Sequence, residues 1–209
     1  GFIDRITPSI DSESMGLQVS GRDKAADLVD CSAVHKPGSW ANADAKTIIT
    51  DLAKPFGISV QFNGDMGKPL PKFALQPQES PFDAMERIAR FRGLILFSMP
   101  DGSIAVGAPD AGAAIAHLVE GTNILTANAE HNISERFGEY IVKGQQAGND
   151  TTNGRAASNQ QASAKDPAIT RPRTLIIVAE DQASKADLQK RADWEANVRA
   201  ARAQSFDVT

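Results

Sequence analysis

Apolar residues fall at helical spacing twice in the first half of the chain. Between Asn42 and Lys54, Ala45, Ile48, Ile49, Leu52 and Ala53 recur at intervals of three and four, which lays one apolar stripe along a helix. Pro55 and Gly57 close it, and Ile58–Phe62 then reads as a short strand. A second helix is marked by Ser80 as its cap, Pro81 at its first position and Asp83 completing a Ser-x-x-Asp box, with Phe82, Met85, Ile88 and Ala89 as its buried face. After Gly93, the apolar runs 94–98 and 104–108 flank Pro100-Asp101-Gly102-Ser103, which predicts a hairpin. Residues 40–110 thus form a small α/β unit.

The flanking segments are richer in strand patterning. Met15–Ser20 and Ala26–Ala33 are strand-like and are separated by Gly21-Arg22-Asp23-Lys24, so a hairpin is expected there. Glu135–Gln146 predicts a long strand, and the solid apolar run Thr174–Ala179 a central one. Residues 147–167 lack any large apolar side chain, so a mobile loop is expected. A helix from Lys185 to Ala203 starts at Ser184, with Asp187 three residues on. Trp194, Val198 and Ala201 share one of its faces and Leu188 lies off it, the pattern of a helix at a surface or an interface. The strand alternation that begins in Ser205-Phe206-Asp207-Val208-Thr209, and a start at Gly1 without methionine, read as the ends of a piece of a longer protein. The predicted fold class is α+β, with 1–39 and 111–209 as one barrel-like domain beside the 40–110 unit.

Composition narrows the chemistry. The balance of 41% apolar and 23% charged residues over 209 positions is that of an ordinary globular chain. A formal charge of −4 argues against wholesale neutralisation of nucleic-acid phosphate. No apolar run approaches the roughly 20 residues of a membrane span, so no membrane insertion is expected. The single cysteine, Cys31, cannot form an internal bridge; placed in an apolar strand, it reads as a small hydrophobe and not as a nucleophile served by His35.

A phosphate loop needs several glycines before a Lys-Ser/Thr pair, whereas Gly21 alone precedes Arg22-Asp23-Lys24. His35, His117 and His131 are isolated in sequence, and there is no Gly-x-Ser-x-Gly elbow, so no catalytic residue, metal or cofactor is assigned. Carboxylate pairs for glycoside cleavage depend on three-dimensional separation and stay open at this level. Gly21 is expected as a turn glycine, and Arg22 and Asp23 as polar residues available to backbone or to an adjoining subunit.

The stretches "VSGRDKAADLVDCSA", "QPQESPFDAMERIARFRGLILFSMPDGSIAVG", "ISERFGEYIVKGQ" and "RADWEANVRAARAQSFDVT" together resemble the baseplate hub (tail) proteins of Mu-like contractile-tailed phages and prophages. The resemblance covers about 17–146 and 171–209. It implies a structural virion protein: a homotrimeric ring of barrel-like domains that joins the tail tube to the spike, contacts other baseplate proteins and lets DNA pass without specific binding. Arg22, Asp23, Leu188, Trp194 and Val198 are the candidate subunit-interface residues. Two other classes compete. A tail-associated peptidoglycan hydrolase would need a catalytic motif, and a cell-wall or sugar-binding module would need an aromatic platform, for which Trp40 and Trp194 are the only tryptophans.

Overall fold

The computed structural model describes residues 1–108, 117–145, 154, 159–179 and 182–209. Strand β1 (Phe2–Ile10) runs antiparallel to β2 (Met15–Arg22), so the partner of the predicted Met15–Ser20 strand lies upstream and not downstream. The expected strand Ala26–Ala33 is instead the one-turn helix α1 (Ala26–Asp30). Aspartates disfavour strands and alanines favour helix. The turn seats Leu28 in complete burial and leaves Cys31 exposed, which corrects the reading of Cys31 as a buried strand residue. Gly21 is likewise not in a turn. It lies within β2, where a side chain would collide with the Phe2 carbonyl.

Contacts divide the chain into two units, residues 1–89 with 94–108 and residues 90–93 with 109–209. In the first, β3 (Ser39–Ala43) leads into α2 (Ala45–Ala53), whose first turn is held by Asp44 accepting the Thr47 N–H at 2.6 Å. The stripe Ala45, Ile48, Ile49, Leu52 and Ala53 is buried as the spacing predicts. A 3-10 turn then ends at Gly57 with φ of 64°, a backbone value that glycine adopts without strain. Strands β4 (Val60–Asn63) and β5 (Leu70–Ala74) follow; β5 pairs with β3 and sets Phe73 opposite Trp40.

Helix α3 (Pro81–Arg92) starts as predicted, with Ser80 Oγ accepting the Asp83 N–H at 3.0 Å. Met85, Ile88 and Ala89 are buried with Ala84, while Phe82 is only half-buried. The expected hairpin is present as β6 (Ile95–Ser98) and β7 (Ile104–Gly107), with β4 added parallel to β7.

In the second unit, β8 (Ala127–His131) is followed by β9 (Glu139–Gly144), shorter than the predicted 135–146 run, whose residue 146 lies outside the described residues. The loop expected over 147–167 needs correction: 147–153 and 155–158 lie outside the described residues, but Gln160–Lys165 is strand β10, antiparallel to β9. Its Ala162 and Ala164 supply small packing surface, so a run without large apolar residues still sits in a sheet. Strand β11 (Thr174–Val178) pairs parallel with β9 and is an edge, not the centre, of the order β10-β9-β11.

Helix α4 (Lys185–Arg202) lies on this sheet, with Leu188 and Ala192 meeting Val142 and Ala162. Leu188, placed off the apolar face by its spacing, is fully buried. The buried face continues through Arg191 and Glu195, whose ion pair at 2.7 Å lets two charged residues lie where an apolar stripe would be sought. Strand β12 (Gln204–Val208) returns to pair with β8. The architecture is α+β; no sheet among the described residues closes into a barrel.

Candidate interaction surfaces

The β1–β2 hairpin sorts its residues by polarity. Its register sets Ile6 opposite Val19, Pro8 opposite Leu17 and Ile10 opposite Met15, while the intervening pairs are Arg5–Ser20, Thr7–Gln18 and Ser9–Gly16. Alternate residues of a strand point to opposite faces. Over these six pairs one face is therefore apolar and the other polar, while at the base of the hairpin, beyond a bulge between Ile3 and Arg5, Phe2 stands opposite Arg22. Both are exposed: Leu17 retains 67% and Met15 79% of its accessible surface. A two-stranded ladder in water is marginal without something packed on its apolar face.

The β8–β12 ladder is only partly sorted in this way. Val208 stands opposite Ala127 and Phe206 opposite Ala129 on one face, where Phe206 is 69% exposed, and that face ends at the polar pair Gln204–His131. Its other face carries Asn128, Glu130, Ser205 and Asp207. The sequence points to neither surface as a site. For the hairpin, the period-two series Ile6, Pro8, Ile10 is the available signal, but proline at its centre demotes a strand assignment.

Arg22 ends β2 and ties the base of the hairpin to α1. Its Nε reaches Asp4 Oδ2 at 2.8 Å and its Nη2 reaches Asp30 Oδ2 at 2.7 Å. These hydrogen bonds, that to Asp30 foremost, hold the guanidinium more firmly protonated and keep the Asp30 carboxyl below its usual range. Arg22 and Asp23 also stand at the rim of a groove of about 490 Å³ whose walls are Val29, Phe82, Leu96, Phe97 and Ile104. The two sequence-predicted residues of this region are thus brought together. Arg22 holds an intramolecular bridge, and both border an apolar hollow.

The helical candidates separate. Leu188 is enclosed in its own unit and has no surface to offer a neighbour. Trp194 and Val198 are half-buried on α4, with the Arg191 guanidinium 5.2 Å from the centre of the Trp194 ring. Trp40 is 8% exposed, stacked on His35 with ring centres 4.2 Å apart, and donates its indole N–H to Asp51 at 2.9 Å. An aromatic platform open to a sugar cannot be built on a tryptophan enclosed in this way. Among the described residues no group of three or more His, Cys, Asp or Glu converges on a point where a metal ion would sit. No described helix is long and apolar enough to cross a membrane.

Comparison with known proteins gives these exposed ladders a context. Residues 25–108 match the second domain of gp44-like baseplate hub proteins. The whole chain aligns with the baseplate hub protein gp44 of Escherichia phage Mu, 34% identical over 215 positions, and spans 56% of that protein's length. Two solved structures share its fold over the full chain. The 43 kDa tail protein of prophage MuSo2 from Shewanella oneidensis has a TM-score of 0.81 at 31% identity, and the tail protein from Neisseria meningitidis MC58 has 0.77 at 25%. The chain covers 62% of each. The chain is thus similar to the baseplate hub proteins of Mu-like phages and prophages, the group that the sequence stretches resemble, over a little more than half of their length.

Proposed function

We propose that the chain is a structural part of a contractile-tail baseplate hub, which joins tail tube to spike as a closed homotrimeric ring around the channel for DNA. The observation that supports this best is the end-to-end alignment with the Mu hub protein, which takes in all of this chain. In this reading the hub meets the tube, the spike and other baseplate proteins through its surfaces and carries out no covalent chemistry of its own. Arg22 and Asp23, which border the apolar groove, and Trp194 and Val198, half-buried on α4, contribute to contacts with neighbouring subunits. The formal charge of −4 suits a conduit, since an acidic lining repels phosphate and lets DNA pass without sticking.

Electron microscopy of intact particles labelled with an antibody against this chain tests the assignment. Label at the junction of tube and spike is expected, and label along the sheath or on free protein alone would overturn it. Incubation with purified peptidoglycan should release no fragments; release that is lost on replacing a single carboxylate would show an enzyme instead.

A further inference from the structure

Asn63 is the last residue of β4, an edge strand of the order β4-β7-β6, and Gly64 follows it. Among the described asparagines it alone precedes a glycine. Gln61, two positions earlier on the same strand, is pinned: its amide donates to Ser103 Oγ at 2.9 Å. Asn63 is exposed, and its side-chain amide makes no hydrogen bond with any described residue.

The surroundings leave that amide free to turn. Its neighbour across the ladder is Gly107, where a methyl group would lie 3.1 Å from Asn63 Cβ, so the missing side chain is what makes room. The register of β4 with β7 stops at this pair, and Gly64 lies beyond it. Gly64 has φ of 92° and no atom within 4 Å of where its side chain would stand. Glycine turns most freely about its backbone bonds and carries no Cβ to shield its nitrogen.

We infer that the Asn63–Gly64 bond is a site of spontaneous deamidation in the folded chain, with water as the co-reactant. The Gly64 nitrogen attacks Asn63 Cγ, the new N–Cγ bond closes a succinimide, and the Cγ–Nδ2 bond breaks. Ammonia leaves with the proton of the Gly64 N–H. Water then opens the ring at one of its two carbonyls. Opening at Cγ leaves aspartate; opening at the backbone carbonyl leaves isoaspartate, in which the chain runs on through Cγ. Amide and water have become acid and ammonia, with nothing oxidised or reduced.

Either product adds a carboxylate, so each event makes the formal charge of −4 one unit more negative. Isoaspartate also inserts the Cβ methylene into the backbone at the last pair of the ladder. Val60–Ile104, Gln61–Ala105 and Phe62–Val106 hold the rest of β4 in register, so the product stays folded and accumulates. None of this depends on what the chain assembles with.

Incubating the chain at mildly alkaline pH and mapping its peptides by mass spectrometry tests the site, with circular dichroism verifying that the chain stays folded throughout. The peptide holding Asn63 should split into aspartate and isoaspartate forms, isoaspartate the more abundant. Conversion should run several-fold faster than at Asn123 or Asn132, whose side-chain oxygens accept backbone N–H groups. Asn153, which also precedes a glycine, lies outside the described residues and is read from its own peptide. Higher pH should speed the reaction, because the attacking nitrogen must lose its proton. Asn63→Gln, which would have to close a larger ring, should remain an amide. Gly64→Ala, whose methyl enters open space beside the attacking nitrogen, should slow conversion about tenfold. Conversion in urea but not in the folded chain would overturn the inference. So would an aspartate product without isoaspartate, which marks direct hydrolysis with no ring, or a Gly64→Ala chain that converts as fast as the parent.

Discussion

Asp166 shows how much one carboxylate can hold together when it is buried with its partner. Its two oxygens take the Arg136 Nε at 2.8 Å and Nη2 at 2.9 Å, and one also accepts the Ala168 N–H at 3.0 Å. The pair clamps the end of β10 to the segment entering β9, with both side chains nearly out of solvent. The Arg136 hydrogen bonds hold the Asp166 carboxyl below its ordinary value of 3.8, against the opposing effect of burial. A carboxyl whose pKa is lowered on folding stabilises the fold above its unfolded value and loses that contribution as pH falls through the folded one. Stability drawn from this pair is therefore complete near neutral pH and fades in acid below about 3.8. Asp166→Asn strands a buried guanidinium and should cost about 3 kcal/mol at neutral pH. Urea unfolding followed at Trp194 measures the loss, and the variant should show a flatter dependence on pH in the acid range. A variant as stable as the parent would mean that water serves Arg136 equally well.

Elements were legible in the sequence where local chemistry alone decides them. Both Ser-x-x-Asp starts, at Ser80 and Ser184, are capping arrangements in the structure, and the β6–β7 hairpin follows its turn residues. Elements that depend on distant partners were not. β10 has no periodic signal because α4 supplies the large side chain, Leu188, that its Ala162 and Ala164 lack. The inner face of α4 was misread for a related reason: Arg191 and Glu195 neutralise each other there, and an apolar count cannot see a buried ion pair. The apolar surfaces of the two ladders were hidden too, since register, not composition, puts Ile6 beside Val19 and Phe206 beside Ala129.

The closeness of α4 to β9 gives an element-level prediction. A methyl group at Gly144 would lie 2.8 Å from Leu188 Cδ2 and 3.3 Å from Ala179 Cβ. Gly144→Ala should therefore overpack the contact and cost about 2 kcal/mol. Made on top of Leu188→Ala, which removes the opposing methyls, the same change should cost much less. Chemical denaturation of the four proteins of this cycle measures the difference, and simple additivity would place the strain elsewhere.

At the scale of the whole chain, each of the two units has its own buried interior. In the first, Ile48, Ile49, Phe73, Met85, Ile88 and Val106 are almost fully enclosed; in the second, Tyr140, Val142 and Leu188 are. A unit with its own core can unfold on its own, so one melting curve need not describe the chain. The sequence places one tryptophan in each unit as a natural reporter, Trp40 packed on Phe73 and Trp194 on α4. Two single-tryptophan proteins, Trp194→Phe and Trp40→Phe, therefore read the units separately in a urea titration. Adding Leu188→Ala, which empties the contact between α4 and its sheet, should cost about 3 kcal/mol. The expected result is a transition reported by Trp194 that moves to lower urea while the one reported by Trp40 stays in place. Equal movement of both would mean that the units unfold as one cooperative body, and the division of the chain would then describe contacts without describing stability.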